Sequence, residues 1–162
     1  MALGTIDTNQ IASEAVTVPK VTDQVLSNRN FIINGDMQVW QRATAATTVT
    51  NAYATVDRYK FTENTSGAFS SERSTDTPTG TGYSLKLQVT TADTSMAAGD
   101  YAYVVQVIEA QNLQGLNYGT SDAKDFTLSF WVKSNKTGTY TVVVRKFDNT
   151  TYHLVHEYAI SS

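Results

Sequence analysis

Cysteine is absent from the 162 residues. Disulfides, thiolate catalysis and zinc sites built on thiolates are therefore excluded. Charge is scarce as well: Asp, Glu, Lys and Arg make up 17% of the chain, with a net charge of −3. A negative balance disfavours a polyanion, so nucleic acid is not an expected partner. No apolar run approaches the roughly 20 residues of a membrane-spanning helix, so membrane insertion is not expected. Residues 1–20 have no basic start leading into an apolar run, the pattern of a secretory signal. Uninterrupted Leu/Ala/Glu/Lys stretches are missing too, whereas Thr, Ser, Val and Tyr abound. That balance favours strands over helices. The hydrophobic fraction of 41% is globular. The length suits one domain plus an extension and is enough to bury a core without staples.

Residues 1–28 contain no aromatic side chain. Their aliphatics are isolated, and Ile6, Ile11, Val16 and Val21 recur every five residues, a period of neither helix nor strand. Alone, such a segment buries too little area to offset its ordering entropy. It is a flexible tail, or it is ordered by a partner.

From Asn30 onward the pattern is strands separated by turns. Strands are expected at 31–34, 57–63, 68–73, 83–89, 101–108, 126–133, 140–147 and 152–160, with a Thr/Ala-rich loop at 43–54 and a helical turn within 109–125. Segment 101–108 is apolar on nearly both faces, so it is expected to be central in its sheet. Phe126, Leu128, Phe130 and Val132 alternate with Thr127, Ser129, Trp131 and Lys133. The Asn135-Lys136-Thr137-Gly138 turn then predicts that 126–133 and 140–147 pair as a hairpin. Eight or nine strands without crossover helices predict an all-β, antiparallel sandwich over 29–162, preceded by the extended segment 1–28.

No catalytic constellation emerges. His153 and His156 lie three apart in an expected strand, hence on opposite faces, and cannot share a metal. Asp100, Asp122 and Asp125 sit in loops, and no motif gathers them into a paired-carboxylate site. The glycines form no phosphate or dinucleotide fingerprint. Adjacent Asp57 and Arg58 read as a local ion pair. The alternation turns Trp131 outward, where an indole stacks on a sugar ring or is covered by a loop or a neighbouring subunit. Gln106 and Arg145 fall on the less apolar faces of their strands, as hydrogen-bonding partners beside it. Trp40 reads as packing.

Three segments, in this order, carry a resemblance. They are Asn30-Phe31-Ile32-Ile33-Asn34-Gly35-Asp36-Met37-Gln38-Val39-Trp40-Gln41, then Tyr83-Ser84-Leu85-Lys86-Leu87, then Thr127-Leu128-Ser129-Phe130-Trp131-Val132-Lys133-Ser134. Together they resemble the jelly-roll domains of carbohydrate-binding modules, in the versions carried by bacteriophage tail fibres and other virion proteins. The stretch from Thr8 to Val21 also resembles the linkers at the starts of phage fibre subunits. The resemblance implies a non-enzymatic virion subunit, assembled in the bacterial host cytoplasm. Its residues 1–28 would dock on other virion proteins, with Ile6, Ile11, Val16, Val18 and Val21 as contacts or as the lining of a homotrimer axis. Its jelly roll would bind a host-surface polysaccharide, or contact only other virion proteins. An accessory module of an exported polysaccharide-degrading enzyme is a weaker fit. Related modules often hold a structural Ca²⁺ at the turn matching Asn34-Gly35-Asp36, which makes Asp36 the candidate ligand. Gln38 stands where they usually carry Glu, so no cofactor is expected. The family continues with two more strands, so a longer chain or a second chain is expected to complete the fold.

Overall fold

The computed structural model describes residues 30–78, 80, 82–146 and 152–161. The expected docking segment 1–28, with Ile6, Ile11, Val16, Val18 and Val21, lies outside them. The span expected as one module falls into two compact units that divide between Lys124 and Asp125.

Among its described residues the first unit holds five strands: β1 (Ala45–Ala46), β2 (Lys60–Asn64), β3 (Ala68–Ser74), β4 (Ser84–Thr91) and β5 (Tyr101–Val105). They form two antiparallel sheets, one in the order β1-β3-β4, the other pairing β2 with β5. Alternation turns Phe61 of β2 and Phe69 of β3 toward one another, with ring centroids 4.9 Å apart and planes tilted by 53°. This contact packs the two sheets face to face. Val49, Val56, Phe61 and Leu116 are buried. The Thr55 and Ser71 hydroxyls, also buried, satisfy each other at 2.6 Å.

Val49 and Val56 come from the Thr/Ala-rich connection between β1 and β2. Its small residues let the backbone come close: the Val49 N–H donates to Phe69 O at 3.0 Å, and Ala52 forms an isolated bridge with Phe61. What reads as a loop is thus a core plug. The helical turn expected in 109–125 is a 3-10 helix, Ala110–Leu116, that buries Leu116. Asn117 ends it at φ 54°, its N–H donating to Gln114 O, a left-handed cap that asparagine tolerates.

The second unit contains β6 (Gly138–Arg145) and β7 (His153–Ile160), antiparallel over their full length from Gly138 opposite Ile160 to Arg145 opposite His153. Tyr140 and Tyr158 stack directly across the ladder at 5.9 Å, and Phe130 meets Tyr158 edge-on at 5.4 Å. The described residues are therefore mostly β and antiparallel, in three small sheets.

Three expectations about strands are corrected. Residues 31–34 are not a strand. The Ile33 N–H and carbonyl are both bonded by the Gln106 side chain, at 2.8 and 2.9 Å, so one carboxamide replaces a neighbouring strand. Segment 101–108 is not central: β5 stops at Val105 and, among the described residues, has only β2 beside it. Apolarity on both faces reports faces to be covered, not the number of strand neighbours. Residues 126–133 form no strand, and the partner of β6 is β7. Around the expected hairpin turn, Lys136 N–H donates to Ser134 Oγ at 3.0 Å and Tyr140 Oη donates to Lys136 O at 3.0 Å. These local side-chain bonds take the backbone groups that a hairpin turn would use.

Candidate functional site

Asn34 organises the segment that carries the resemblance. It sits at φ 57°, and Met37 N–H closes the turn onto its carbonyl at 3.0 Å. Its carboxamide accepts from Val39 N–H and donates to Val39 O and Asp57 O, each at 3.0 Å. Asparagine suits the position because it tolerates left-handed backbone and carries both donor and acceptor. The Asp36 carbonyl accepts from Gln38 Nε2 at 2.7 Å. Among the described residues no three acidic or imidazole side chains converge, at Asp36 or elsewhere. The arrangement at 34–36 is a hydrogen-bonded turn.

Gln106 belongs to the first unit. With its amide committed to Ile33, it also bonds the half-buried Tyr59, whose phenol burial pushes up. Its place is that of a tie between strand end and turn. Trp131 and Arg145 belong to the second unit. Trp131 is 83% exposed, and Phe126, Leu128, Phe130 and Val132 beside it are 40–50% exposed. Arg145 lies at the end of β6, opposite His153. In β7 the register puts His153 and His156 on opposite faces. The Trp40 indole N–H donates to Met37 O, a packing role.

Asp57 and Arg58 do not pair with each other. Asp57 accepts from Arg42 at 2.9 Å and from Gln41 N–H, while Arg58 Nη2 bridges both Glu109 oxygens at 2.7 and 2.9 Å. Arg58 itself sits in left-handed backbone, at φ 74°. The Arg58 guanidinium holds the Glu109 carboxyl below its usual range. Arg42 also lies over the Tyr53 ring, 5.7 Å from its centroid. Arg42, Tyr53, Arg58, Val107 and Glu109 border an open groove of about 380 Å³. A smaller cavity between the sheets holds about 10 Å³, no more than a water.

The sequence reading passed over this groove. One signal was available: Tyr53 is the sole aromatic of the Thr/Ala-rich stretch 43–54. A large planar side chain in a segment of small ones is there for a contact.

Comparison with family models, with curated proteins and with solved structures found no match.

Proposed function

We propose that the chain is a non-enzymatic bacteriophage virion subunit of the tail-fibre type. Its residues 1–28 dock on the virion, and its β-rich body, completed to a jelly roll, meets a host-surface polysaccharide. The observation that carries this reading is Trp131, 83% exposed on an extended segment. An indole presented so fully is a stacking surface for a sugar ring, at ~1 kcal/mol per contact. Weak single contacts suit a fibre, because three linked copies gain roughly 10²–10⁴ in avidity. The test is adhesion of the full chain to host cells and to their extracted polysaccharide. Trp131→Ala should lower adhesion with the circular dichroism spectrum unchanged. Adhesion that survives this change intact would remove Trp131 from the binding surface.

A second reading has its own observation. Phe126, Leu128, Phe130, Trp131 and Val132 are all exposed, on both sides of one segment. That is more apolar surface than a sugar needs and is the mark of a protein contact. In this reading the chain is a structural virion protein, and other virion proteins or homotrimer copies cover the segment. Loss of assembly in Trp131→Ala, with polysaccharide binding unchanged, would favour it.

A further inference from the structure

We propose that the groove bordered by Arg42, Tyr53, Arg58, Val107 and Glu109 binds an uncharged pyranose sugar, a proposal that rests on the adhesin reading and locates a saccharide site for it. The volume of about 380 Å³ suits a mono- or disaccharide, within the roughly 300–1,000 Å³ of small-ligand sites. Tyr53 is 42% exposed and Val107 39%, and the Arg42 guanidinium lies over the Tyr53 ring, so the groove is bordered by aromatic and aliphatic surface beside a cation. The polar walls are pre-held, Arg42 by Asp57 and Arg58 by Glu109. Side chains already fixed lose little freedom when a ligand arrives.

The same ion pairs choose the charge of the ligand. Arg42 is matched by Asp57 and Arg58 by Glu109, so the groove offers no net positive charge. An anionic sugar would have to displace a carboxylate at each guanidinium, whereas a neutral one needs only hydrogen bonds. Those are on offer. Arg42 contacts its carboxylate through Nη1, and Arg58 contacts Glu109 through Nη2, one nitrogen each. A guanidinium carries five N–H donors in a planar fork that matches neighbouring hydroxyls. Glu109, kept ionised by Arg58, accepts from Asn112 Nδ2 at 3.3 Å as well, and a carboxylate has further lone pairs for a sugar hydroxyl.

The experiment is ligand-observed NMR titration of the full chain. The probes are methyl glycosides of glucose, galactose, mannose and N-acetylglucosamine, with methyl glucuronoside as the anionic comparison. At least one neutral glycoside should saturate in the millimolar range, and a tenfold rise in salt should leave its affinity nearly unchanged. Tyr53→Ala should weaken it about tenfold by loss of the ring contact. Arg58→Lys, which keeps the charge but loses the fork, should weaken it as well. Lys86→Ala on β4 should not, and circular dichroism should show all variants folded. The groove is overturned if no neutral glycoside saturates, or if only the glucuronoside binds, in a salt-sensitive way. It is also overturned if Trp131→Ala abolishes binding while Tyr53→Ala does not. If any of these occurs while extracted host polysaccharide still binds the chain, the groove falls and the adhesin reading stands. If the polysaccharide fails to bind too, both fall.

Discussion

In residues 30–124 the side chains of Val49, Val56, Phe61 and Leu116 are buried, whereas among the described residues of 125–161 no side chain is. Backbone pairing does not explain the difference. The β6–β7 ladder is the longer and more regular one, paired from Gly138 through Arg145. The first unit differs because its two sheets meet face to face through Phe61 and Phe69, with a loop closing the gap. A lone two-stranded ribbon is marginal in water however good its ladder. Tyr152, Leu154 and Val155 are 56–66% exposed, and Trp131 more so. The first unit therefore has its own core, whereas the described apolar side chains of the second are left exposed.

The largest effect that tests this difference is in the core. Phe61→Ala should destabilise residues 30–124 by about 3–5 kcal/mol in denaturant titration. Leu154→Ala should cost less than ~1 kcal/mol, because the side chain is 65% exposed. Equal costs would break the comparison. Next come the side-chain ties peculiar to the first unit. Asn34→Ala removes the bonds to Val39 and Asp57 and should cost about 1–3 kcal/mol. Gln106→Ala, which leaves two exposed Ile33 backbone groups to water, should cost less, about 0.5–1.5 kcal/mol. Trp131→Ala should change stability by no more than ~0.5 kcal/mol, whatever it does to adhesion or assembly. A larger loss would mean the indole is packed.

The smallest effect is in acid. Asp93 accepts from the Thr65 hydroxyl at 2.6 Å, from Ser95 N–H at 2.8 Å and from Ser66 N–H at 3.0 Å, and these bonds hold its carboxyl below the ordinary range. A folded-state pKa below the unfolded one gives stability that is present above the unfolded value. That stability is lost as pH falls through the folded value. Thermal melts should therefore hold steady down to the ordinary carboxylate range and decline below it. Asp93→Asn should flatten that decline. An unchanged acid limb would mean Asp93 gives nothing to the turn.

Strand positions were legible in both units, and the expected 140–147 and 152–160 lie within two residues of β6 and β7. Alternation around Phe61, Leu85 and Leu87 located β2 and β4, and the β-rich, antiparallel class followed. Pairing was less legible, because alternation names a face and not a neighbour. Phe126, Leu128, Phe130 and Val132 alternate as a strand should, yet Ser134 and Tyr140 tie up the turn that would have paired them with β6. At 31–34 and 106 the substitution of a side-chain amide for a strand leaves no periodic trace at all. The groove was hidden for a related reason. Arg58 and Glu109 are 51 positions apart, and the sequence offered Asp57 as the nearer partner. In the structure Asp57 is taken by Arg42 and the Gln41 N–H instead.

The proposal that residues 30–124 are self-supporting and that 125–161 are ordered by contact with other copies is tested most directly by amide hydrogen exchange on the intact chain over a range of protein concentrations. Amides of β2, β3 and β5 should be protected at every concentration. Those of β6 and β7 should exchange quickly in dilute solution and slow as copies assemble. If β6 and β7 are as slow as β2 and β5 in a dilute monomer, residues 125–161 carry their own stability and the distinction is wrong.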